Sequence, residues 1–191
     1  MINLMKLIVG LWNPGDKYLN TRHNIWFVTI DQFVKSNQIG DFSYDNKYGW
    51  EIISPLNPPF EWGLSSVSEK VVFLKPMEYM NKSGAAVQKI MNFYKIEAND
   101  LLVIHDDIDL ATGVVKMKEW WWLAGHNGLK DIAEKIWTKD FSRIRIWVDR
   151  PSYPPQDVAD YVLWNLKKDE IDTIQDRYLD IDRMVLEFIS I

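Results

Sequence analysis

Cysteine is absent from the 191 residues, which excludes disulfides, thiolate nucleophiles and cysteine metal sites. Long apolar runs are missing too. None approaches the ~20 residues that a membrane-spanning helix needs, and the apolar start MINLMKLIVGLW runs into a turn without the small-residue cleavage site of a secretory signal. A cytoplasmic protein without membrane contact is the expectation. Histidine is scarce, and His23, His105 and His126 show no His-x-x-x-His spacing, so no zinc is expected. Asp106, Asp107 and Asp109 lack the rest of a calcium-loop pattern. No metal and no cofactor are therefore expected. No serine stands out as a nucleophile, which leaves water for any hydrolytic step.

The residues present make an ordinary globular composition, 47% hydrophobic and 26% charged, without repeats or low-complexity tracts. The length suits a single domain spanning 1–191. Net charge is −5, but its distribution is uneven. Val114 to Arg150 holds eight Lys or Arg against five acids, or +3, whereas Asp157 to Ile191 holds nine acids against four bases, or −5. Such asymmetry suits a basic face for an anionic ligand, although a solvated surface has the same signature.

Apolar runs at Leu7–Val9, Val71–Leu74 and Leu101–Ile104 read as buried strands. Residues 25 to 36, Ala85 to Tyr94 and Asn127 onward carry apolar residues at helical spacing. Residues 41 to 66, broken by Pro55, Pro58 and Pro59, suggest at most a hairpin or an irregular excursion. Val114 to Lys118 alternates like an exposed edge strand, and Arg143 and Arg145 share one face of another. A single last helix is expected from about Lys168, carrying Ile171, Ile174, Tyr178, Ile181, Val185 and Phe188 inward. Strands alternating with helices predict an α/β fold: one three-layer α/β/α domain around a mixed, largely parallel sheet.

A parallel sheet gathers the segments after its strands at one edge. Here those segments are Asn13 to Asn24, Tyr79 to Asn81 and His105 to Asp109, joined by Gly125-His126-Asn127-Gly128. The inventory contains a base (His23), a carboxylate to orient it (Asp106) and amides to hold carbonyl or hydroxyl groups (Asn13, Asn81, Asn127). Plainer readings stand beside these: His23 as a capping residue, His105 as structural, and the aspartates as a turn and helix cap. Gly10 to Lys17 is not a phosphate loop, because no Ser or Thr follows the lysine.

GLWNPG (Gly10 to Gly15), TRHN (Thr21 to Asn24), YMNKSG (Tyr79 to Gly84), HDDIDL (His105 to Leu110), GHNGLKDI (Gly125 to Ile132) and RIRI (Arg143 to Ile146) together resemble the bacterial-type peptidyl-tRNA hydrolase family. The motifs occur in the family's order and extend from residue 4 to about 165. The resemblance implies hydrolysis of the ester between an N-blocked peptide and the 3′-terminal ribose of tRNA. It implies His23 as the base that activates water and Asp106 as its orienting partner. It further implies Asn13, Tyr18, Tyr79, Asn81 and Asn127 as substrate-binding residues, and Asn24, Met80, Lys118, His126 and Arg145 as tRNA or lid contacts. Peptidyl-tRNA is the expected partner, and a monomer the expected state. The alternative is a catalytically impaired RNA-binding relative of the same fold.

The ten tryptophans depart from that pattern. Trp12, Trp26, Trp120, Trp121, Trp137 and Trp147 stand where the family usually has glycine or another very small residue, and Trp122 and Trp164 where glycine is common. As true indoles they could form a stacking platform for bases, but three in succession cannot all face one groove. The preferred account is that UGA codons are read as glycine in the source organism. With genuine tryptophans, the segment Glu119 to Gly125 is expected to be a blocked lid.

Overall fold

The computed structural model describes residues 5–56, 70–109, 111–118, 123, 125–150 and 157–191. The sequence features at Pro58, Pro59 and Trp120 to Trp122 lie outside them, as does the greater part of the expected lid.

Seven strands form one sheet: β1 (Met5–Gly10), β2 (Ser43–Asp45), β3 (Trp50–Leu56), β4 (Lys70–Pro76), β5 (Leu101–Asp107), β6 (Val115–Lys118) and β7 (Ser142–Trp147). Their order is β2-β3-β4-β1-β5-β7-β6. The central four, β4, β1, β5 and β7, are mutually parallel, and antiparallel strands flank them at both edges. The sheet is thus mixed with a parallel centre. β6 is an edge strand, as its alternation predicts, and residues 43–56 form the hairpin β2–β3.

The apolar runs divide by parity. Ile8, Val71, Phe73, Leu102 and Ile104 face one core, built with α1 (Ile25–Ser36) and α6 (Tyr178–Ser190). Leu7, Val9, Val72, Leu74 and Val103 face the other, built with α2 (Ser83–Tyr94) and α3 (Asn127–Ile136). A strand buried on both faces must be apolar at every position, which is why these runs are continuous rather than alternating. The result is three layers, helices on sheet on helices.

Two elements differ from the sequence reading. The last helix is two, α5 (Lys168–Gln175) and α6, because at Arg177 the backbone N–H bonds three residues back, to Ile174, instead of four. The apolar spacing continues across that point, so periodicity cannot reveal the break. A short helix, α4 (Val158–Val162), precedes them. Its Asp157 cap accepts from the Ala159 N–H.

α2 and α3 touch at Gly84. A Cβ there would sit 2.3 Å from the Asp131 carbonyl oxygen, and the Gly84 N–H donates to the Asp131 carboxylate at 2.7 Å. This contact sets the distance between the two helices whose N-terminal ends frame the carboxyl edge of the sheet.

Candidate active site

Because β1, β4 and β5 run parallel, the segments after them meet at one edge. There a crevice of about 580 Å³ is lined by Asn13, His23, Tyr79, Met80, Asn81 and Asp106, with His126 and Asn127 completing its polar side. The clusters expected from the sequence therefore converge in space. The apolar wall of the crevice comes from Val158, Ala159, Val162 and Leu163 on and after α4. The sequence reading missed that wall, although the short pattern DVADYVL holds the signal.

The centre is Asp106, the sixth residue of β5 and buried. Three donors converge on its Oδ1: His23 Nδ1 at 2.8 Å, Trp26 Nε1 at 2.9 Å and His126 Nε2 at 3.0 Å. Burial opposes its charge, but the facing His23 and His126 outweigh that and hold the carboxyl well below the usual carboxylate range. With His23 Nδ1–H donating to Asp106, the ring's Nε2 lone pair is left free.

His126 caps α3. Its Nδ1 accepts from the Gly128 and Leu129 N–H groups at 3.1 and 3.3 Å. Accepting at Nδ1 places the proton on Nε2, which donates to Asp106. Burial lowers its pKa despite the neighbouring carboxylate, so it stays neutral. His23, Asp106 and His126 offer three metal-ligand atoms within 4.8 Å of one another. Those atoms are joined by hydrogen bonds and share the carboxylate oxygen with an indole N–H, so the donor set is that of a hydrogen-bonded cluster. His105 packs edge-on against His126 and bonds the Asp106 carbonyl oxygen through Nδ1 at 2.7 Å. Burial, followed by the adjacent His126 ring, which disfavours a second positive charge beside it, pushes its pKa well down.

The loop after β1 is held by reciprocal bonds. Asn13 N–H donates to Asn24 Oδ1 at 2.7 Å, and Asn24 Nδ2 returns a bond to the Asn13 carbonyl oxygen at 2.8 Å. Asn13 Oδ1 accepts the Met80 N–H at 2.9 Å, which ties the first loop to the second and fixes the orientation of the Asn13 amide. Tyr79, Asn81 and Asn127 are exposed at the crevice.

Other expected contacts are placed differently. Tyr18 does not line the crevice; its carbonyl oxygen instead accepts the Thr21 hydroxyl and N–H, supporting the turn that carries His23. Asn24 is buried with both ends of its amide bound to Asn13. Arg145 is buried and bonded to Asp107 at 2.7 Å through Nε. Asn24 and Arg145 organise the site from within and offer little surface to a tRNA. Lys118 is exposed on the edge strand β6.

The tryptophans divide. Trp26 is fully buried with its N–H satisfied by Asp106, a partner the sequence reading missed. Trp12 stacks on Phe27, yet its N–H and that of fully buried Trp147 have no acceptor among the described residues. Trp137 ends α3 in the left-handed region, φ 61°, and is 90% exposed. Such an end position is ordinarily glycine's.

A model of the peptidyl-tRNA hydrolase family matches residues 7–190. The chain belongs to the peptidyl-tRNA hydrolase family. A peptidyl-tRNA hydrolase of Exiguobacterium sibiricum is 38% identical over 97% of this chain and 94% of its own length. One of Rickettsia felis is 42% identical over 88% and 85%. The crystal structure of the Acinetobacter baumannii peptidyl-tRNA hydrolase superposes with a TM-score of 0.84 at 29% identity, covering 100% of this chain and 90% of that one. The architecture is therefore shared across nearly the full length of that relative.

Proposed function

We infer that this peptidyl-tRNA hydrolase cleaves the ester between an N-blocked peptide and the 3′-terminal ribose of tRNA, with His23 as general base. The observation that carries the roles is the His23–Asp106 bond, 2.8 Å long at the floor of an open crevice. Nε2 takes a proton from water as the water oxygen attacks the ester carbonyl carbon. The C–O bond to the ribose then breaks, and His23 returns the proton to the departing 3′ oxygen. Asp106 stays ionised throughout and stabilises the imidazolium that forms between the two transfers.

Asn13 accepts from the Met80 N–H through Oδ1, so its NH2 is the end available to a peptide carbonyl. That suits recognition of a blocked N-terminus. Asn81 and Asn127, exposed at the crevice, are the donors for the peptide backbone and the developing oxyanion. Tyr79 and Met80 supply apolar contact beside them. Lys118 is one of the exposed cations of the basic segment and serves tRNA phosphates, which demand charge and no sequence. A base paired with its orienting carboxylate favours turnover over simple RNA binding, since binding alone requires neither.

The test is release of deacylated tRNA from N-acetyl-aminoacyl-tRNA. His23→Ala is expected to lower kcat by about 10²–10⁴ while leaving affinity for tRNA unchanged. Equal turnover by both proteins would assign the base elsewhere.

A further inference from the structure

The turn Arg22–Asn24 carries three consecutive side chains tied to three different parts of the fold. Asn24 is bound to the loop after β1 and His23 to β5. Arg22 reaches the opposite way, to α5. Its NH2 meets both carboxylate oxygens of Glu170, at 2.5 and 2.7 Å, and a charge-assisted contact this short fixes direction as well as distance.

Arg22 also gathers the segment between α4 and α5. Its NH1 donates to the Asn165 carbonyl oxygen at 3.1 Å, its backbone N–H to the Trp164 carbonyl oxygen at 3.1 Å, and its guanidinium lies 4.4 Å from the Tyr161 ring centre. Tyr161 belongs to α4, which supplies the apolar wall of the crevice, and its hydroxyl donates to the Val148 carbonyl oxygen just past β7. Glu170 is itself held, since its Oε2 accepts the Lys167 N–H at 2.7 Å and closes the start of α5.

The side chains of Arg22 and Glu170 are 5% and 15% exposed. A buried ion pair is a weak source of stability compared with apolar packing of the same volume, because both charges lose their water. Its stronger contribution is a single register. We propose that Glu170 is a positioning residue for ester hydrolysis: through Arg22 it locks the turn bearing His23 and the α4 wall into one arrangement around the crevice. The proposal rests on the hydrolase reading. Glu170 does not line the crevice, so it reaches the turn that bears His23 through Arg22 and does not touch substrate.

The experiment compares Glu170→Gln, Glu170→Ala and Arg22→Lys with the parent chain. It reads kcat and KM on N-acetyl-aminoacyl-tRNA, Kd for deacylated tRNA, and Tm. Glu170→Gln keeps the volume and one acceptor, and remains informative if the alanine variant does not fold. The expected result, at a temperature well below each Tm, is kcat lowered by about tenfold or more, as displacement of a positioned group produces. Kd for deacylated tRNA stays at the parent value, and Arg22→Lys, which keeps the charge but loses the planar set of donors, falls between. A folded Glu170→Gln protein with the parent's kcat and KM overturns the proposal, as does a kcat loss no greater than the unfolded fraction. Absence of turnover by the protein purified from its source organism instead overturns the hydrolase reading.

Discussion

Asp106 is the residue on which most of the site's geometry depends, and three N–H donors on one oxygen explain why it remains charged while buried. Asp106→Asn removes the charge and offers an NH2 where an acceptor is needed. It is expected to cut kcat by ~10² or more, read on the same ester substrate. The sign of the pH effect on stability comes from the depressed native value. The ionised carboxylate favours the fold above its unfolded value of ~3.9, and that contribution is lost as pH falls through the native one. Denaturation monitored by fluorescence across the acid range is expected to show a weaker pH dependence for Asp106→Asn than for the parent chain.

The tryptophans are also decided residue by residue. An indole at Trp137 carries a left-handed backbone cost of ~1–2 kcal/mol for a ring left 90% in solvent. Trp12 and Trp147 each bury an N–H without an acceptor among the described residues, and such a group costs ~1–3 kcal/mol. Of the four described positions at which the family usually has a very small residue, only Trp26 finds a bond for its indole. Glycine from UGA codons removes all three penalties. The protein purified from its source organism is then expected to weigh less than the tryptophan-bearing chain by one Trp-to-Gly difference per affected site. Intact mass spectrometry reads this directly, and the full tryptophan mass overturns it. In the chain with tryptophan, Trp137→Gly is expected to gain about 1 kcal/mol in a denaturant titration.

Among the elements, the site is an edge where parallel strands end and short turns begin. Each turn is fixed by bonds to another, Asn13 to Met80 and Asn24 to Asn13, so a shift in one helix reaches several side chains. The α2–α3 contact makes this testable. Gly84→Ala would press a methyl group onto the Asp131 carbonyl oxygen, and the helices must part. A loss of about 2 kcal/mol is expected in equilibrium unfolding, with activity falling too, because His126 caps α3 and Asn127 begins it. The edge strand β6 behaves differently: its alternate residues Lys116 and Lys118 face solvent, so substitutions there are expected to leave stability nearly unchanged.

For the molecule as a whole, a net charge of −5 and a +3 segment between Val114 and Arg150 are compatible once charge is read locally. Binding to tRNA is expected to weaken linearly on a logarithmic salt axis, as phosphate neutralisation releases counterions. Lys118→Ala is expected to reduce that slope by roughly one without altering kcat, as read by filter binding across a salt series. Among the described residues no helix is long and apolar enough to cross a membrane.

Local pattern is enough to dictate the layers and the chemistry on offer. Continuous apolar runs suit strands covered on both faces, and helical spacing supplies the covers, so the α/β/α arrangement is legible before any contact is known. His23, Asp106, Asn13 and Asn81 are legible as candidates because polar groups at and beyond the carboxyl ends of buried parallel strands gather at one edge. The remaining features join residues far apart in the chain. Periodicity could not show that His126 turns its Nε2 to Asp106 while capping α3, that Asn24 and Arg145 point inward to partners, or that Arg22 meets Glu170 across 148 positions. Those contacts are set by how the loops pack at the sheet edge, and hydrogen-bond geometry there has no one-dimensional signature.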